Sequence, residues 1–126
     1  MNIHQLSIKF VADNEAGNFG DIAKFFHENI VFCMLDGTEV SGVDNVIKTL
    51  QELMSGPMGK MSFELLSVIA DEDAHISTVY WRAVHKDKDG NAMFSWLGND
   101  ILTWRDSKIV RKDTFGKCDA PKIVPS

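Results

Sequence analysis

The sequence predicts an α+β fold in which helices cover one face of an antiparallel sheet. Three observations predict it. Apolar residues recur at helical spacing only in the front of the chain. From Lys60 onward the spacing changes to that of strands. The strand segments are separated by short acidic or glycine-containing turns rather than by helices, which argues against alternating βαβ units.

Taken in order, Ile3, Leu6, Phe10 and Val11 form the apolar stripe of a first helix that stops near Gly17. Phe19, Ile22, Ala23 and Phe26 mark a second, short helix from about Phe19 to His27, with Asp21 placed early, where the helix dipole favours an anion. Ile30 to Leu35 (IVFCML) reads as a short buried strand ending in the turn signal Asp36-Gly37. Ser41 is the expected cap of a third helix, whose stripe is Val43, Val46, Ile47, Leu50 and Met54 and whose end is Gly56-Pro57. Four longer strands follow as a meander: MSFELLSVIADED, AHISTVYWRAVH, NAMFSWLGNDILTW and SKIVRKDTF. Residues 3–116 form the expected core of a single domain spanning 1–126, and the tail 117–126, with Pro121 and Pro125, is expected to be loosely held.

A chain of 126 residues suits one core, and its 44% hydrophobic, 25% charged composition is that of a globular protein. The net charge of −5 disfavours nucleic acid as a partner, because phosphate binding needs clustered Lys and Arg. No apolar run is long enough to span a membrane. The first residues lack a basic stretch followed by an apolar one, and Cys33 and Cys118 lie far apart, so a cytoplasmic protein with reduced thiols is expected. His4, His27, His75 and His85 have no zinc-ligand spacing and no glycine loop suits a phosphate, so neither metal nor cofactor is expected.

The stretches FVADNEAGNFGDIAKFF, IVFCMLDGTEVSG with the helix after it, and NDILTWRDSKIVRKDTFG resemble, in that order, the helix pair, strand turn and final hairpin of the nuclear transport factor two-like superfamily. This superfamily includes SnoaL-like polyketide cyclases, ketosteroid isomerases and limonene epoxide hydrolases. The resemblance covers Ile3 to Gly116. It implies a curved sheet shaped as a cone, closed by three N-terminal helices over a pocket, with a second subunit on the outer sheet face. One fold hosts many activities, so the site residues must be tested one by one.

Against the ketosteroid isomerases, Phe10 stands at the Tyr position and Cys33 at the base position, leaving only Asp100 as a match. The apolar neighbours of Cys33 raise a thiol pKa, so it reads as a lining or core residue rather than a base. Against the epoxide hydrolases, Phe32 and Met34 replace the water-holding Tyr and Asn, neither register of VYWRAVH restores the Arg-Asp pair, and Asp113 alone remains. The SnoaL-like cyclases imply an acid/base Asp with a polar partner, for which Asp100, His85 and Asp113 are the candidates. A carboxyl buried between Leu97 and Ile101 can exchange a proton near neutrality.

Strand alternation puts Phe94, Trp96, Gly98, Asp100, Leu102 and Trp104 on one face unless a bulge intervenes. The preceding strand offers either Val79, Trp81, Ala83 and His85, or Tyr80, Arg82 and Val84, and both faces carry large apolar groups. The expected pocket wall is Phe10, Phe32, Cys33, Trp81, Trp96, Asp100 and Phe115. Three functions fit: a dimer that binds a small apolar or aromatic molecule, an enzyme of isomerase, cyclase or hydrolase type using Asp100, or a protein-interaction module. The missing bases favour the first.

Overall fold

The computed structural model describes residues 1–55 and 60–117. Its elements are α1 (Ile3–Ala16), α2 (Phe19–Ala23), β1 (Phe26–Cys33), β2 (Glu39–Ser41), α3 (Val43–Ser55), β3 (Lys60–Asp71), β4 (Ile76–Lys86), β5 (Ala92–Arg105) and β6 (Lys108–Lys117). The six strands form one curved, unclosed sheet in the order β2-β1-β6-β5-β4-β3. Strands β3 to β6 are the expected antiparallel meander, and β1 joins it parallel to β6. This is the α+β cone.

Helix α1 begins with a capping box. The Asn2 side chain accepts the Gln5 amide, and Gln5 Oε1 accepts the Asn2 amide. Glu72, in the β3–β4 turn, accepts the next two free amides, Ile3 N at 2.7 Å and His4 N at 3.3 Å, and so ties the helix start to the sheet. The helix ends at Gly17, whose φ of 72° only glycine adopts without strain. Deeper in, the Ser7 hydroxyl donates to Ile3 O, and Ser77 Oγ accepts the Trp104 indole N–H at 2.9 Å and lies 2.8 Å from Ser7 Oγ. That buried chain fixes α1 over β4 and β5.

Three local expectations are corrected. Helix α2 stops at Ala23 instead of reaching His27, because Phe25 O accepts the Ile109 amide and Phe26 pairs with Ile109 at the start of β1. Tertiary pairing with β6 overrides a helical spacing that was only local. Strand β1 therefore spans Phe26–Cys33 rather than Ile30–Leu35, and Met34 to Thr38 make the turn. Ser41 belongs to β2, and among the described residues its side chain makes no capping hydrogen bond. Gly42, at φ 88°, precedes α3. The expected helix stop at Gly56-Pro57 and the tail from 118 lie outside the described residues.

The helices cover the concave face. Phe10 from α1, Ile22 from α2 and Val46 and Leu50 from α3 meet Ile30, Val79, Leu102, Trp104 and Ile109 from the sheet in one buried cluster. Val79, Trp81, Ala83 and His85 are the buried face of β4, which resolves the ambiguity that the sequence left open. No helix among the described residues is long and apolar enough to cross a membrane.

Candidate functional site

The helices do not fill the concave face, and a cavity of about 530 Å³ remains between α1, α3 and the strands. Phe10, Phe32, Trp81 and Trp96, all expected in the wall, line it, as do Asp100 and His85. Phe63, Met54 and Met61 add further apolar surface.

Two glycines make room for the tryptophans. Gly98 and Gly116 are opposite each other on β5 and β6, and a Cβ at either would fall 2.1 Å from the Trp81 ring or 2.4 Å from the Trp96 ring. The indoles therefore lie across bare backbone and meet edge to face, with ring centroids 5.0 Å apart.

Asp100 sits at the base of this aromatic stack, 8% exposed. Its Oδ2 accepts the Trp81 indole N–H at 3.1 Å, and its Oδ1 accepts the Thr114 hydroxyl at 2.6 Å and the Lys112 ammonium at 3.5 Å. Lys112 also donates to Thr114 Oγ1 at 3.0 Å and lies 4.0 Å from the centre of the Phe32 ring. A carboxylate that takes indole, hydroxyl and ammonium donors is acting as an acceptor only, the opposite of a protonated carboxyl that donates to an oxyanion. A charged pair in an apolar wall persists only with such additional hydrogen bonds.

His85 occupies the wall nearer the mouth, stacked on Phe94 with centroids 4.3 Å apart. The Trp96 indole N–H donates to His85 Nε2 at 2.8 Å, so in the neutral ring the proton is on Nδ1, which is buried without a partner.

Cys33, Asp113 and Phe115, expected in the pocket, are on the other face of the sheet. Cys33 follows Phe32 in β1, and adjacent strand residues face opposite sides; for Asp113 and Phe115 the cause is one extra residue in β6. Trp104 pairs with Ile109 but Thr103 pairs with Arg111, so Val110 is bulged and the alternation changes phase. Lys112 and Thr114 then point into the cavity and Asp113 and Phe115 away from it. Asp113 instead receives the Arg111 Nε–H at 3.0 Å, with Glu39 3.7 Å from the same guanidinium. Cys33 pairs with Asp113 across the β1–β6 ladder. Its thiol is pushed up from the ordinary value, first by desolvation and then by the Asp113 carboxylate. Among the described residues no three His, Cys, Asp or Glu side chains converge where a metal ion could sit.

A cone of this kind, with helices over an open curved sheet, defines a fold class. Residues 8–112 match the SnoaL-like domain model, and the chain belongs to that family. Solved structures agree in fold. A candidate ketosteroid isomerase of Kribbella flavida superposes with a TM-score of 0.76 at 17% identity, covering 98% of this chain and 82% of that one. A candidate polyketide cyclase of Xanthomonas campestris gives 0.72 at 16%, over 88% and 87%. A nuclear transport factor two-like protein of unknown function from Exiguobacterium gives 0.66 at 22%, over 90% and 93%. No curated protein matches by sequence.

Proposed function

We propose that this SnoaL-like chain binds a small apolar or aromatic molecule in its cone. The observation that carries the reading is the cavity of about 530 Å³, walled by aromatic side chains, with its charged pair gathered at one end. Ligand sites have that composition: apolar walls for affinity and a few fixed polar groups for orientation. A cone filled by its own side chains would have favoured an interaction module instead. Native mass spectrometry of freshly purified protein tests the proposal, with retained small-molecule mass as the expected result. Failure of a broad set of hydrophobic ligands to shift the melting temperature would overturn it.

A second reading, turnover in the same cavity, is supported by Asp100 lying in the wall beside Lys112 with a buried carboxylate. Once any reaction is found, Asp100→Asn with unchanged kcat/KM removes Asp100 from its mechanism. We also propose a cytoplasmic homodimer of single-domain subunits joined through the outer sheet face. Ile69, Tyr80 and Phe115 are exposed on that face at 70%, 39% and 56%, an apolar surface that a partner copy would cover.

A further inference from the structure

The polar groups at the cavity end differ in what they have left to offer a ligand. Asp100 can only accept, and its fold already gives it three donors: Oδ1 takes Thr114 and Lys112, and Oδ2 takes Trp81. The Thr114 hydroxyl spends its proton on Asp100 and accepts from Lys112, and the Trp81 indole spends its N–H on Asp100. Of these groups Lys112 alone retains a donor; elsewhere in the wall His85 Nδ1 is also without a partner. An ammonium has three N–H donors, and two are directed at Thr114 and Asp100. Its remaining neighbour is the Phe32 ring face, 4.0 Å away. A ring face is a weaker partner for an ammonium than an oxygen lone pair, at about 0.5–2 kcal/mol against about 1.5–3 for a charged hydrogen bond.

We infer that Lys112 is the residue that meets the ligand: its ammonium takes a carbonyl or phenolic oxygen at the leading end of an aromatic molecule, while Asp100 positions Lys112 without touching that molecule. The inference rests on the pocket reading above. It assigns the ligand's chemistry, an apolar ring system with an oxygen acceptor at the buried end, and it makes electron-rich or anionic oxygen the preferred form. The carboxylates that face the cavity are Asp100 at its base and Asp36 and Glu52, both exposed, at its mouth. All three oppose a negative ligand oxygen, as does the apolar wall. Lys112 is the only ammonium lining the cavity among the described residues, and His85, whose Nδ1 has no partner, is the other group there that could favour a negative oxygen, so removing Lys112 while keeping His85 isolates the ammonium's effect.

The experiment uses 2-naphthol, whose ionised form absorbs at longer wavelength than tryptophan, and 2-methylnaphthalene, which has the same shape without an acceptor. Calorimetry measures whether each binds, and absorbance against pH follows the bound naphthol. A Lys112 contact lowers its ionisation midpoint by about one pH unit or more relative to the free compound, as an adjacent opposite charge does. The double variant Lys112→Met/Asp100→Asn, chosen because Lys112→Met alone strands a buried carboxylate, abolishes that shift while still binding 2-methylnaphthalene. A bound naphthol whose midpoint is unmoved or raised overturns the inference. So does binding of 2-methylnaphthalene without 2-naphthol, and either result leaves the pocket reading standing. Binding of neither overturns both.

Discussion

At position 98 the absence of a side chain holds the site together. A methyl group there would sit 2.1 Å from the Trp81 ring, so Gly98→Ala must push the indole off β5 and break its bond to Asp100 Oδ2. Overpacking of this kind costs about 1–3 kcal/mol, and urea denaturation should show that loss together with a changed tryptophan emission. Ser77 makes a complementary case, because Ser77→Ala leaves the buried Trp104 N–H without its acceptor, at a cost of about 1–3 kcal/mol. On the outer face, the raised Cys33 pKa has a definite sign. The unreactive thiol persists to higher pH, so the pH midpoint for alkylation of Cys33, followed by peptide mapping, lies above that of a free cysteine. Desolvation is the larger cause and Asp113 the next, so Asp113→Asn brings the midpoint part of the way back down.

At the scale of elements, what the sequence made legible and what it hid separate along β6. Alternation on β5 was readable because Trp96, Leu102 and Trp104 mark one face with bulky apolar groups, and Asp100 follows from them. The stretch Arg111-Lys112-Asp113-Thr114 contains no apolar marker, so counting from Ile109 puts Asp113 inside. The hairpin at Asp106 and Ser107, both at positive φ, pairs Arg105 with Lys108, and an unbroken ladder from there would set Arg111 against buried Leu102. The bulge at Val110 sets Lys112 there instead, and its ammonium finds Asp100. Only the neighbouring strand contains that information. Boundaries at α2 and β1 were hidden for the same reason, since Phe26 becomes a strand residue through Ile109. The tie between α1 and the sheet is testable at this scale. Glu72→Ala removes the acceptor for the Ile3 and His4 amides, and a lost cap of this type costs about 0.5–2 kcal/mol. Hydrogen exchange should quicken at Ile3 and His4 while the β4–β5 core stays protected.

For the whole molecule, the division into a helical front and a stranded back was enough to fix the layers, because helices with one apolar face must cover one side of a sheet this apolar. The same architecture predicts the energetic signature of occupancy. The cavity lies between layers that separate on unfolding, so a ligand held there binds the folded state and not the unfolded chain. At about ten times its Kd such a ligand stabilises by about 1.4 kcal/mol, or a rise of about 4–6 °C in melting temperature for a chain of this length. A molecule bound on the outer sheet face could produce a similar rise, so the location needs its own control. Leu53, on α3, lines the cavity and is 39% exposed, so Leu53→Trp can narrow the mouth without disturbing the buried cluster. In that variant the unliganded melting temperature should stay close to that of the parent while the ligand-induced rise disappears. A rise that survives Leu53→Trp would place the ligand outside the cone.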